Sequence, residues 1–120
     1  MTIRTKRIYA LRSPEDGYRV LVDRLWPRGL SRAVAAIDRW ERDIAPSTEL
    51  RRWYAHEVQR WPAFRERYQA ELEMHPVSLD ELSALEREHH TLTLLFAARD
   101  EAHNEAVVLA DVLRRRGGGT

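Results

Sequence analysis

A chain of 120 residues and 14.1 kDa without a single cysteine has room for one domain and one core, and it excludes disulfides, thiolate metal sites, iron–sulfur clusters and a cysteine nucleophile. With 43% hydrophobic and 32% charged residues it is neither disordered nor fibrous; no apolar run approaches the roughly 20 residues of a membrane span, and Met1-Thr2-Ile3-Arg4 does not open a signal peptide, so a soluble, cytoplasmic protein without membrane contact is expected. The net charge of +1 hides a bipolar chain: residues 1–60 hold 13 Lys+Arg against 8 Asp+Glu, residues 61–120 hold 7 against 11, and every basic residue except Lys6 is Arg.

In chain order, Ile3 to Tyr9 reads as a short strand. Ser13-Pro14-Glu15-Asp16-Gly17 carries the punctuation of a turn, and Tyr18 to Leu25, with Val20, Leu21 and Val22 together, reads as a buried strand. Pro27 and Gly29 stop it, because proline cannot donate to a ladder and glycine admits a positive φ. Ala33 to Ile37 suits one helical turn, and Asp38 to Ile44 alternates as a third strand. Ser47 is a good helix cap before Leu50, Trp53 and Tyr54, with an end expected near His56. Trp61-Pro62 opens a helix on Phe64, Tyr68 and Leu72, closed by Pro76. Ser78-Leu79-Asp80-Glu81 has the form of a capping box for a helix ending near His89. Thr91 to Ala98 is the most continuously apolar stretch and suits a central strand covered on both faces. Asn104 caps a last helix whose Ala106, Val107, Leu109, Ala110 and Leu113 face the sheet, and 117–120 read as a disordered tail. Strands interleaved with helices and no internal repeat predict one α/β domain over 1–116. The expected architecture is a small three-layer sandwich with a mostly parallel sheet of about four strands flanked by helices.

In such sheets ligands bind beyond the carboxyl ends of the strands, where loops meet the positive ends of helices. The strand at 18–25 delivers Asp23, Arg24, Trp26, Arg28 and Gly29 there, and the strand at 91–98 delivers Arg99, Asp100, His103 and Asn104. Arginine grips carboxylate or phosphate bidentately, so Arg24, Arg28 and Arg99, with Trp26, Gly29 and Asn104, form a candidate binding set for a phosphate- or nucleotide-like anion. Tyr9 and Arg12 are candidate rim residues. If the site is catalytic, His103 is the general acid or base, Asp100 or Asp23 orients it, and Arg24 and Arg28 stabilise developing negative charge. The alternative is that Asp23 with Arg24 and Arg99 with Asp100 form ion pairs that brace the loops.

Lys6-Arg7-Ile8-Tyr9, the string from Asp16 to Gly29, Asp43-Ile44-Ala45-Pro46-Ser47 with Leu50-Arg51 and Trp53, and Leu92 to Ala98 with His103-Asn104 resemble the YeaO-like family of bacterial proteins (domain of unknown function 488). The resemblance runs from about Lys6 to Leu113. It implies a compact cytosolic α/β domain and names no reaction. Phe96 and Arg99 stand where family members tend to carry Tyr and Lys, which excludes a phenolic role at Phe96.

His89, His90 and His103 match no metal-ligand spacing, so no metal is assigned. Hydrolase, Walker and dinucleotide glycine motifs are absent, and the cofactor is left open. Arg51, Arg52, Trp53 and Tyr54 interleave bases and aromatics as single-stranded nucleic-acid surfaces do, but Trp53 and Tyr54 fall on the Leu50 stripe and so read as core. Two functional classes therefore stand side by side. One is an anionic small-molecule site, with or without turnover. The other is a non-catalytic regulatory module for an acidic protein or nucleic-acid partner, as a monomer or homodimer.

Overall fold

Six consecutive residues, Thr91–Phe96, form the strand around which everything else is arranged, and in the computed structural model, which describes residues 2–118, five of the six are buried. In chain order the strands are β1 (Thr2–Arg7), β2 (Tyr18–Leu21), β3 (Arg39–Trp40) and β4 (Thr91–Phe96). The helices are α1 (Arg32–Ala35), α2 (Thr48–Tyr54), α3 (Trp61–Leu72), α4 (Pro76–His89) and α5 (Glu105–Gly118). The sheet order is β1-β4-β2-β3 and every pairing is parallel. β4 is central, with Ile3 opposite Leu92 on one side and Leu21 opposite Leu95 on the other. Parallel strands require crossovers, and these place cover on both faces of the sheet, which is why β4 is buried on both sides, Thr93 included.

The two faces are covered unequally. Ile3, Val20, Val22, Leu92, Leu94 and Phe96 pack against α2 to α5 in the larger core, with Phe64, Tyr68 and Leu72 of α3 and Leu79 and Leu82 of α4. On the opposite face Ile8, Leu21 and Leu95 meet Ala35 of α1 and the part-buried Trp26 and Trp40. That thin layer also holds a buried ion pair. Arg19 reaches Asp16 at 2.5 Å, its remaining nitrogens bond Ala35 O and Ala36 O at 2.8 and 3.0 Å, and Lys6 Nζ adds a second cation to Asp16 at 3.0 Å. All three Arg19 nitrogens are satisfied, so the charge is buried with its partners rather than exposed to a ligand.

Several elements are shorter than their sequence patterns. β2 ends at Leu21, not Leu25: Val22 still donates to Leu95 O, but the Asp23 carboxylate takes the Ala97 N–H at 2.9 Å, and a side chain there replaces the next rung of the ladder. The third strand is only Arg39–Trp40, after which a 3-10 turn over Arg42–Ile44 takes the chain off the sheet edge. α4 starts at Pro76, not after Ser78. Proline in a first turn loses nothing by lacking an N–H, so Pro76 opens this helix instead of closing α3, and Glu81 is free to pair with Arg39 at 2.6 Å rather than complete a capping box. In α5 Val108 is buried and Val107 only half so. α5 continues to Gly118, so residues 117 and 118 are helical, and the rest of the expected tail lies outside the described residues.

Among the described residues no helix is long and apolar enough to cross a membrane.

Candidate functional site

All four strands end at one cleft. It has a volume of about 410 Å³ and is lined by Tyr9 after β1, by Asp23 to Arg28 after β2, by Ala45 and Pro46 after β3, and by Ala97, Ala98 and His103 to Glu105 after β4. Arg51, Tyr54 and His56, in and just after α2, with Phe64 of α3, close the remaining side. A space of this size, mostly carbon-walled with a few convergent polar groups, has the form of a small-molecule site.

The loops are held by side chains bonding backbone, not by the ion pairs that formed the alternative reading. Arg7 donates from Nε to Ala98 O at 3.0 Å and from Nη2 to Ala97 O at 3.1 Å, which fixes the segment leaving β4. Arg24 Nη2 bonds Ala45 O at 3.2 Å and Pro46 O at 3.3 Å, tying the segment after β2 to that before α2; its buried Nε has no partner. Asn104 spends its amide within the chain, accepting from Val107 N at 3.2 Å as the cap of α5 and donating to Asp100 O at 2.9 Å. Tyr9 OH donates to Arg28 O at 2.9 Å. Ser47 caps α2 through Leu50 N, and Glu71 of α3 receives both its N–H and its hydroxyl, at 2.8 and 2.6 Å. α2 then ends in Ala55 and His56, both at positive φ (46° and 58°), a costly conformation for two non-glycine residues in succession, and this turn carries His56 to the cleft.

Two carboxyl arrangements bear on this space, Asp100 from behind His103 and Asp23 with Glu105 in its wall. His103 Nδ1 lies 2.9 Å from Asp100 Oδ2, and Asp100 Oδ1 accepts the backbone amides of Ala102 and His103. Those bonds, the Ala102 amide first, hold Asp100 below the usual carboxylate range, so the Nδ1 hydrogen points at an ionised acceptor and the Nε2 lone pair is left to accept or take a proton. The His103 ring is further fixed edge-on to Trp61 at 5.2 Å, and its carbonyl accepts from Tyr54 OH at 3.0 Å. Glu105 sits beside Asp23. Burial, and then the neighbouring Asp23 carboxyl, push Glu105 well above its ordinary value, with Arg51 opposing. Asp23 is pinned by the Ala97 amide and by Trp40 Nε1 on its carbonyl at 2.6 Å. Both carboxyl groups line the cleft, and Glu105 holds its proton more tightly than a free carboxyl does.

The cations divide in the same way. Arg28, in the loop after β2, and Arg51, in α2, are exposed and line the cleft, and among the described residues neither side chain makes a hydrogen bond or ion pair. Arg28 was legible from its place after β2. Arg51 was weighed only within the Arg51-Arg52-Trp53-Tyr54 run and not placed at the cleft, and His56 and Glu105 were not singled out: Arg51 and His56 reach the cleft only because the long β3–β4 connection returns α2 to the strand ends, and Glu105 looks like any acidic residue in a first helical turn. The one signal for Glu105 was its position directly after the Asn104 cap. Of the expected site residues, Asp23, Arg24, Trp26, Arg28, His103 and Asn104 line the cleft, whereas Gly29, Arg99 and Asp100 do not; Asp100 acts behind His103. Tyr9 is on the rim and Arg12 is not. No group of three or more His, Asp or Glu among the described residues is placed to hold a metal ion.

Comparison with known proteins agrees with the sequence resemblance. Residues 2–117 match the family described as the inactive DUF488-N3 subclade. The uncharacterized protein YeaO of Escherichia coli K12 is 46% identical over 114 residues, covering 95% of this chain and 98% of that one. The uncharacterized proteins Rv3073c of Mycobacterium tuberculosis H37Rv and Mb3100c of Mycobacterium bovis are each 41% identical over 114 residues, covering 95% of both chains. No solved structure matches. With its whole α/β core inside the matched region, the chain belongs to the YeaO-like DUF488 family, in the subclade described as inactive.

Proposed function

We propose that this protein is a cytoplasmic binding protein for a small phosphate- or nucleotide-like anion, held in the strand-end cleft without turnover. The observation that carries the reading is the pair Arg28 and Arg51: two arginines, one in the loop after β2 and one in α2, that line one cleft and make no side-chain hydrogen bond or ion pair among the described residues. Arg24, the third arginine that lines the cleft, is spent on backbone carbonyls, and a protein gains nothing in stability from two unpaired like charges held at one opening. The N-terminal end of α5 adds favourable potential for an anion. The description of the subclade as inactive favours binding over chemistry.

A second reading, turnover with His103 as general base, draws on the Asp100–His103 bond and the adjacent Asp23–Glu105 pair. Both readings require the anion to bind first. The test is a thermal-shift screen of wild type, Arg28→Ala and Arg51→Ala against inorganic phosphate, sugar phosphates, nucleotides and small carboxylates. A ligand at 100 times its Kd stabilises by about 2.7 kcal/mol, several degrees for a domain of this size. Stabilisation by a phosphorylated compound that is lost in both variants is the expected result, and hydrolysis products appearing in the same mixtures would establish turnover. Silence across the panel, or a shift untouched by either substitution, would reject an anion site and leave an acidic macromolecular partner as the reading to pursue.

A further inference from the structure

We infer that the anion is a nucleoside monophosphate, with its phosphate between Arg28 and Arg51 at the mouth of the cleft and the hydrogen-bonding edge of its base against the Asp23 and Glu105 carboxyl groups. The inference rests on the anion-site reading above and adds what the other end of the ligand must be.

Inorganic phosphate satisfies the two arginines and leaves most of a 410 Å³ space unfilled. A sugar phosphate fills more of it, but it has no flat apolar surface to set against Pro27, Pro46, Tyr54, Phe64 and Ala98, so that carbon wall would stay in contact with water. A flat heterocycle suits such walls, because its faces are apolar and only its edge is polar.

The edge it would present is complementary to what the chain offers. Asp23 and Glu105 line the cleft from the segments after β2 and β4, and neighbouring carboxyl groups offer adjacent hydrogen-bonding positions to a nucleobase edge, which itself carries donors and acceptors side by side. Asp23 is already oriented by the Ala97 amide at 2.9 Å, and Glu105 is the first residue of α5, which the Asn104 cap fixes. The reading edge is therefore built before the ligand arrives, which lowers the entropic cost of binding.

The test is isothermal titration of the purified protein with AMP, GMP, CMP and UMP, alongside ribose 5-phosphate and inorganic phosphate. At least one nucleotide should bind about tenfold or more tighter than ribose 5-phosphate, the effect of a well-placed buried hydrogen-bonding pair. Glu105→Ala should bring that nucleotide down to the ribose 5-phosphate level while changing ribose 5-phosphate itself by less than about twofold. Glu105→Gln, which keeps a donor and an acceptor at the same place, should stay within about threefold of wild type and guards against a folding defect in the alanine variant. Equal affinity for nucleotides and ribose 5-phosphate, or an equal loss of both in Glu105→Ala, would overturn the base-reading role while leaving the anion site standing. Binding of none of the six probes would remove the anion site and this inference together.

Discussion

An ionised Glu105 would set two negative charges beside each other in a wall made largely of carbon. Burial first, and the Asp23 carboxyl second, hold its folded-state value above that of an unfolded chain. A raised carboxyl contributes stability that is intact below the unfolded value and is lost as pH rises through the folded one. The sign is opposite at Asp16, where burial alone would raise the group but the Ser13 amide, Lys6 and Arg19 outweigh it and leave the value lowered; that contribution is lost as pH falls. Glu105→Gln should therefore melt higher than wild type on the alkaline side and converge with it in mild acid. Melting curves taken from roughly pH 5 to 9 read this directly, and two parallel profiles would show that Glu105 is ionised throughout. At this scale sequence distinguishes little. Arg19, Arg24 and Arg28 are the same letter, yet the first is 2% exposed and fully bonded, the second clamps two carbonyls, and the third is free on the surface. Neighbouring backbone carbonyls decide which is which, and they come from distant parts of the chain.

Helix ends were more legible where the signal was a cap with no competitor. Ser47 and Asn104 both cap as their patterns imply. Ser78 had an equally good pattern and does not cap, because Pro76 two residues earlier can begin the helix at no hydrogen-bond cost. The two serines therefore make a controlled comparison. Ser47→Ala removes a cap and strands one oxygen of Glu71, so it should cost about 1 to 2 kcal/mol in urea unfolding. Ser78→Ala, in the first turn of α4 where the half-buried hydroxyl makes no cap bond, should stay within about 0.5 kcal/mol. Equal costs would mean that the Ser47–Glu71 link between α2 and α3 has no energetic weight. Strand ends were less legible. The apolar run through Leu25 predicted a longer β2, but apolar character says only that a residue is covered, and Asp23 ends the ladder by taking an amide with its side chain.

The connections give the molecule its shape. The crossover from β1 to β2 passes over the start of β4 so closely that a Cβ on Gly17 would lie 2.4 Å from Thr91 O, and Gly17 has φ of +62°. Gly17→Ala should accordingly cost at least about 2 kcal/mol, from strain and overlap together, and a midpoint unchanged in chemical denaturation would show that this crossing is looser than its geometry. The Asp-Gly pair in the sequence marked a turn here without saying what it turned against. Local pattern by itself determined a good deal of this protein: three of its strands, the four longer helices, a parallel sheet with 91–96 at its centre, and the strand ends as the place to look for a site. These follow from periodicity, turn chemistry and the need to cover β4 on both faces, all of which are written in contiguous residues. Only the tertiary structure decided which groups share the cleft. Arg51 and His56 arrive through α2 on the connection from β3 to β4, and Glu105 meets Asp23 across 82 positions. The path of a crossover is selected by packing of the whole core, and no short-range pattern records which side chains that packing brings face to face.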